Sequence, residues 1–399
     1  VKIIRISPSL RGASAAVAVP AAVALAVTAG PAPAASADTA WTVQPAPFTI
    51  GTSRLLGVSA TGPDSVWAGG YQWHSSITLV CAGSGPCIVR QHQNPTLQRW
   101  TGGGWSWTST PGLAGDGQIR FVDATSATGA WAAGSRDVPA GTVEGMPYLA
   151  RATAGTWSEV AAPSTLRAVE ALDADEAGAW VSGLPAAAGD PSVYRHESGA
   201  WIPHTLGATI QGIEQRTPDD VWAVGRTNDG GHAYAARYDG TTWHTMTPPQ
   251  VEGKRGRLVS VLPLAADDVW ITGYADGDGG RKHASYHWNG STWREDVLPQ
   301  CAAFGDGMHY GQGPNSANAS YSASGLVDDG AGGLWAVPSM PGLQGTPRVL
   351  RYTSGSWRVE EPVPDVKGAI QGLTRIPGTS TVRAVGFRDY SKPLVLSTD

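Results

Sequence analysis

A tryptophan-centred motif recurs seven times along this chain, and that recurrence limits the folds open to it more than any other feature. The copies are Asp64-Ser65-Val66-Trp67-Ala68-Gly69-Gly70, Gly129-Ala130-Trp131-Ala132-Ala133-Gly134, Gly178-Ala179-Trp180-Val181-Ser182-Gly183, Asp219-Asp220-Val221-Trp222-Ala223-Val224-Gly225 and Asp267-Asp268-Val269-Trp270-Ile271-Thr272-Gly273. Two weaker copies follow, Gly333-Leu334-Trp335-Ala336-Val337 and Val382-Arg383-Ala384-Val385-Gly386. Self-similarity at a period of roughly 40 residues is the signature of a solenoid, a propeller or another array. Apolar runs of four or five residues ending in Gly read as strands covered on both faces.

A second tryptophan follows six of the seven motifs: Trp105, Trp157, Trp201, Trp243, Trp293 and Trp357. Turn residues precede it, as in Asp239-Gly240-Thr241-Thr242-Trp243 and Asn289-Gly290-Ser291-Thr292-Trp293. The Asp239-Gly240 and Asn289-Gly290 pairs predict two-residue hairpin turns, where positive φ suits Gly, Asn and Asp. The seventh second-type tryptophan is Trp41, ahead of every other repeat, while the last repeat, ending Pro393-Leu394-Val395-Leu396, has none. If the strand carrying Trp41 completes the last repeat, the array closes on itself and leaves no unpaired sheet edge. The expected fold is all-β: a seven-bladed β-propeller of four-stranded antiparallel blades, the N-terminal strand completing the last blade. Strand a of the clearest blade is placed near 210–216, b at 221–225, c at 235–238 and d from about Thr242. Thirteen of the 17 tryptophans occupy repeat positions and read as packing between blades.

Composition fits such a body. Of the 399 residues, 41% are hydrophobic and 15% charged, which excludes disorder driven by charge. The N-terminus differs from the rest. Lys2, Arg5 and Arg11 precede an Ala/Val-rich run from Ala13 to Ala29, followed by small residues at Ala35 and Ala37. This is the layout of a secretory signal, so residues 1–37 are expected to be removed and 38–399 to form the propeller domain. Removal takes away three basic residues and no acidic one, leaving 25 Lys+Arg against 33 Asp+Glu. The expected product is a secreted, mildly acidic monomer with no membrane span in the mature chain. Without a run of basic residues it lacks the electrostatic footprint of a nucleic-acid binder.

The strand ending in Gly, followed by an aromatic residue and then the second Trp, resembles the kelch-type propellers, which include the galactose-oxidase propeller. It is most similar to secreted bacterial proteins built from Asp-Asp-Val-Trp-Ala-Val-Gly blades. The resemblance spans about residues 38–399 and implies a fold rather than a chemistry. The kelch double glycine is clear at Gly69-Gly70 alone, and no set of Tyr and His matches the copper ligands of a galactose oxidase. The Asp-Gly-Thr-Thr-Trp turn is similar to a sialidase Asp-box shortened by one residue and without its leading Ser.

Spacing between repeats locates a face. First-to-second Trp distances are 21–26 residues except for the 38 between Trp67 and Trp105. Second-to-first distances are 21–27 except for the 42 between Trp293 and Trp335. The excess falls in the b–c loop of blade 1, around residues 72–95, and in the d–a loop entering blade 6, around 299–325. In an antiparallel four-stranded blade these two loop classes leave from the same end, and loops grown on one side of a rigid scaffold carry function. Milder extensions, at 136–147, 251–257 and 275–282, belong to the same classes.

The candidate ligand-binding residues lie in these insertions: Trp73, His74, Arg90 and His92 in the first, Asp306, His309 and Tyr310 in the second. An exposed Trp73 beside His and Tyr suits stacking on a sugar face. Cys81 and Cys87 are expected to pair in an exported protein, around Ala82-Gly83-Ser84-Gly85-Pro86; a staple from Cys301 to either is the alternative. His74, His92, His309 and Asp306 have the donor chemistry of a metal site, but no close-spaced His pair supports one, and no metal or cofactor is expected. Lys254-Arg255-Gly256-Arg257 is a short basic loop able to meet an acidic ligand or to stand as a solvated tip. The expected function is a binding module that recognises an extracellular glycan, cell-wall polymer or protein. The other reading is a polysaccharide hydrolase or lyase with a carboxylate pair over the channel, since propellers host both kinds of function.

Overall fold

In a computed structural model the chain is described over residues 40–78, 89–113, 116–137, 145–277, 280–299, 323–338 and 345–398. Among the described residues all regular structure is β-strand, in seven four-stranded antiparallel sheets. Blade 1 is built of strand a (Arg54–Gly62), b (Ser65–Thr78), c (Val89–Trp100) and d (Trp105–Trp107). Blades 2, 3, 4, 5 and 6 repeat that order over residues 117–160, 166–204, 208–245, 256–297 and 323–360. In blade 7 the strands a (Gly368–Arg375), b (Val382–Arg388) and c (Lys392–Ser397) come from the C-terminal end, and d is Thr42–Val43. Thr42 pairs with Ser397 and Val43 with Leu396, so the expected closure holds. The a strands touch their neighbours in an unbroken ring, blade 7 meeting blade 1. The fold is a seven-bladed β-propeller.

The repeated residues have distinct physical tasks. Each strand-b tryptophan is buried, and in five places its ring meets the strand-d tryptophan of the following blade. The pairs are Trp67–Trp157 (5.3 Å), Trp131–Trp201 (6.3 Å), Trp180–Trp243 (5.8 Å), Trp222–Trp293 (6.2 Å) and Trp335–Trp41 (5.1 Å), all edge-to-face. Such pairs contribute about 0.5–1.5 kcal/mol each beyond the area they bury. Between blades 5 and 6, Tyr352 stands between Trp270 and Trp357, and His287 stacks on Trp270 at 4.2 Å. Blade 7 has Arg383 where the others have Trp, and its guanidinium lies over Trp100 of blade 1. The weakness of this seventh copy thus has a structural substitute.

A third repeated residue accompanies the two tryptophans. Arg99, Arg151, Arg195, Arg237 and Arg351 on the c strands lie over Trp67, Trp131, Trp180, Trp222 and Trp335, 4.7 to 6.0 Å from the ring centres. Arg99 and Arg151 also donate to carbonyls of Ala127 and Glu176, in the a–b turns of the next blades. The second Asp of the motif is explained too. Asp220 and Asp268 accept hydrogen bonds from the indole N–H two residues on, at 3.1 and 3.0 Å. Asp220, almost wholly buried, also accepts from Arg216 and Arg237.

The Gly that ends the motif answers to strand a. Each a strand carries an irregularity of register near its middle, as between Ile210 and Gly212 in blade 4. There the Thr209 carbonyl is driven over Gly225, and a Cβ at that position would overlap it.

The hairpin turns differ from expectation. Asp239-Gly240 and Asn289-Gly290 are not two-residue turns: Tyr238 pairs with Trp243 and Trp288 with Trp293, leaving four-residue loops. The reason is side-chain capping. Asp239 Oδ1 accepts from the N–H groups of Thr241 and Thr242, and Asn289 Oδ1 from those of Ser291 and Thr292. Two-residue turns with positive φ at both positions occur instead at Ala154-Gly155, Ser198-Gly199 and Ser354-Gly355.

Closure through Trp41 gives a direct test. Trp41→Ala removes the last edge-to-face contact of the ring and is expected to cost about 3–5 kcal/mol in urea unfolding. Trp107→Ala, at an exposed indole, is expected to stay within about 0.5 kcal/mol of the parent.

Candidate functional site

The b–c and d–a connections leave every blade at one end, and both long insertions are of these classes. The first lies between Thr78 and Val89, the second between Val297 and Ala323. In blade 1 much of the extra length is ribbon: strands b and c stay paired from Val66–Trp100 out to Thr78–Val89. The ladder is interrupted between Gln72 and Ser75, and Trp73 and His74 form the bulge. Bulges re-aim side chains, and here the aim is outward, with Trp73 59% exposed.

The backbone at Trp73 is left-handed, φ 53°, a conformation disfavoured for a bulky residue. It is held by the connection from blade 7 to blade 1. Trp73 N–H donates to the Ile50 carbonyl at 2.7 Å, His74 N–H to that of Thr52 at 2.9 Å, and Ile50 N–H to Gln72 Oε1 at 3.0 Å. Gly51, itself at φ 63°, lies against the Trp73 backbone. A strained residue fixed from several directions, with its large ring in water, marks a place shaped for contact.

Of the residues expected at the site, the structure brings Trp73 and His74 together on this bulge. The His74 ring packs 5.5 Å from Tyr71, and burial holds its pKa below the ordinary imidazole value. Arg90 and His92 are placed by backbone register opposite Ile77 and Ser75 on the same ribbon. Asp306, His309 and Tyr310, and the cysteines Cys81, Cys87 and Cys301, lie outside the described residues. Among the described residues no group of three or more His, Cys, Asp or Glu is placed to hold a metal.

Three further exposed aromatics were not singled out in the sequence: Phe48, Trp107 and Tyr390, the last 45% exposed between strands b and c of blade 7. Phe48, in the connection from blade 7, is 77% exposed, and Trp107, ending strand d of blade 1, is 53% exposed. Their rings lie 6.4 Å apart, and the Trp107 indole N–H donates to the Phe48 carbonyl at 3.1 Å. Trp107 stands out of repeat register two residues after Trp105, which is the signal that could have revealed it. Trp100 and Trp288, the other tryptophans outside the repeat positions, pack on Trp105 and Trp293.

The other end of the channel holds carboxyl groups. Ser59, Asp123, Asp173 and Glu214 occupy one position of strand a in blades 1 to 4, each opposite the strand-b tryptophan. They link neighbouring blades. Ala124 N–H donates to Ser59 Oγ, Ser59 Oγ to Asp123 Oδ1, Ala174 N–H to Asp123 Oδ2, and Gln215 N–H to Asp173 Oδ2, at 2.6–3.0 Å. For Glu214 the corresponding donor in blade 5 would be residue 263, which is proline and has no N–H. Burial raises all three acids, Asp123 to about 6, Glu214 to about 8, and Asp173 well above the usual carboxylate range. Mutual repulsion raises them further: Asp123 acts on Glu214, and Glu214 on Asp173. These groups lie at the a–b turn end of their strands, away from the loop-rich face. Two of the three are spent on backbone hydrogen bonds.

No family model matches the chain, and no curated protein matches it. Among solved structures, one titled "YCF48 bound to D1 peptide" aligns with 81% of this chain and 99% of its own length, at 15% identity and a TM-score of 0.43.

The raised acids have a consequence for stability. The folded state keeps protons that the unfolded chain releases above about pH 4, so their stabilising effect is full below that value and is lost as pH rises through the folded pKa values. Glu214→Gln is expected to match the parent in urea unfolding at about pH 5 and to exceed it by about 1–3 kcal/mol at about pH 9. Equal midpoints at both values would refute a protonated Glu214.

Proposed function

We propose that this chain is an exported binding propeller whose loop-rich face recognises a carbohydrate polymer, with the Trp73 indole as its stacking platform. The observation that carries the reading is Trp73 itself. It is mostly exposed, its backbone is left-handed, and three hydrogen bonds around residues 50–52 and 72–74 hold it there. A sugar ring offers one apolar C–H face to such an indole while its hydroxyls keep polar contacts. Arg90, His92, Asp306, His309 and Tyr310 belong to the two long insertions of the same loop classes. The fold agrees with this role, since a closed ring of blades holds its loops on a rigid frame.

Binding is favoured over hydrolysis by the placement of the acids. Asp123 and Asp173 join blades at the far end of the channel, and Glu214 sits beside them rather than beside Trp73. Export accords with the basic, apolar and small-residue order of residues 1–37.

Purified chain would be incubated with insoluble polysaccharides and cell-wall preparations, with retained protein and released sugar measured together. The expected outcome is retention without release, and Trp73→Ala lowering retention at least about tenfold at an unchanged unfolding midpoint, as loss of a stacked ring of about 1–3 kcal/mol implies. Released oligosaccharide would replace binding with catalysis. Retention unaffected by Trp73→Ala would move the site elsewhere. The exported protein is expected to begin at Asp38 on N-terminal sequencing; an intact residue 1–37 segment would overturn the export reading.

A further inference from the structure

Where blades 4 and 5 meet on the loop face there is an open cleft of about 500 Å³. One wall is the end of strand b and the b–c loop of blade 4, residues 226–231, and the other is Arg255, just before strand a of blade 5. The two walls are laced together by backbone hydrogen bonds. His232 and Arg255 form an antiparallel bridge, Gly256 N–H donates to the Gly231 carbonyl at 2.9 Å, and Ala233 N–H to that of Lys254 at 3.1 Å. Inside the blade 4 loop, Thr227 N–H donates to the His232 carbonyl, Gly231 N–H to that of Thr227, and Asn228 N–H to that of Gly207. The cleft is therefore formed before any ligand arrives, which spares the cost of ordering loops on binding.

Its charge is unusual for this chain. Many other arginines are occupied: Arg136 pairs with Glu159, Arg216 and Arg237 with Asp220, and Arg375 with Asp328, while Arg54, Arg99 and Arg151 lie over aromatic rings. Among the described residues Arg226 and Arg255 have neither a carboxylate nor a ring, and both are exposed on the cleft. The basic character continues behind them with exposed Lys254 and with Arg257, whose Nε is buried without a partner. Asp229 is the acidic residue of the lining, and it forms no ion pair with either guanidinium. In a protein with more acids than bases, two unpaired guanidinium forks on one preformed cleft are a site for an anion. Arg matches carboxylate and phosphate oxygens in pairs of hydrogen bonds.

We propose that this cleft binds the anionic group, carboxylate or phosphate, of an acidic polysaccharide. The remaining lining favours sugar over peptide: Asn228, whose Oδ1 accepts from the buried Thr209 hydroxyl, offers its amide N–H groups, Thr227 offers its hydroxyl, and no aliphatic or aromatic side chain takes part. Sugar hydroxyls find partners there, whereas apolar peptide side chains find none. The site is three blades from Trp73 and works by charge rather than stacking, so it stands or falls separately from the Trp73 platform.

The test uses the full chain against immobilised polygalacturonate, poly(glycerol phosphate), dextran and poly-glutamate. Binding to one or both acidic glycans is expected, weakening as NaCl rises from about 50 to about 500 mM, and the better ligand names the anion. The Arg226→Ala/Arg255→Ala double variant is expected to lose at least about tenfold in affinity at an unchanged unfolding midpoint, while Trp73→Ala keeps this binding. Three results would overturn the proposal: neither acidic glycan binding, the double variant binding like the parent, or poly-glutamate binding as tightly and depending on the same two arginines. The last would make the cleft a site for acidic peptides.

Discussion

The contact on which this molecule depends is the meeting of a strand-b tryptophan with the strand-d tryptophan of the next blade. A four-stranded blade has two apolar faces and cannot cover either alone. Trp67, Trp131, Trp180, Trp222 and Trp335 each carry a strand-c guanidinium over the ring and receive a second indole edge-on. The π face attracts the cation and the ring edge of the partner fits the π face, so the arrangement is directional as well as apolar. It fixes the distance and tilt between blades. Repeated with small variations, it sets a ring of seven.

Closing that ring requires the two ends of the chain to meet in one sheet. Thr42 and Val43 form a strand of only two residues, short for a structural closure, and backbone pairing alone would hold it weakly. Trp41 adds the missing strength by filling the same space that Trp157, Trp201, Trp243 and Trp293 fill elsewhere. On the opposite side of blade 7 the pattern changes, since Arg383 stands in for Trp and lies over Trp100. The interface is maintained by reversing roles: the cation comes from strand b and the ring from the neighbouring blade.

A frame held in this way separates two kinds of position. At the a–b and c–d turn end, side chains are committed to holding blades together, through Asp220, the strand-c arginines and the Ser59–Asp123–Asp173 series. Substitution there changes stability. At the other end, loops of different length rise without disturbing the core, and there the chain places a strained, exposed Trp73 and an unpaired Arg226 and Arg255. Glu214 is the exception at the first end, an acid left without its backbone donor because Pro263 follows in the next blade.

The sequence by itself determined the number of blades, the order of their strands, the shared last blade and the face on which the chain is longest. These are one-dimensional properties: a repeat, its offset and its spacing. It also held the strand-c arginines and the second Asp of the motif in plain view, but their meaning depends on what lies across the sheet. Whether Asp239-Gly240 closes a two-residue or a four-residue turn was decided by a side chain capping two N–H groups, which a dipeptide preference does not encode. The tertiary structure alone decided that Trp73 sits on a bulge lashed to residues 50–52, that Phe48 and Trp107 touch, and that Arg226 and Arg255 share a cleft. Each of these joins residues from different blades or connections. Sequence spacing records distance along the chain, whereas a site is made by distance through space, and only the closed ring converts one into the other.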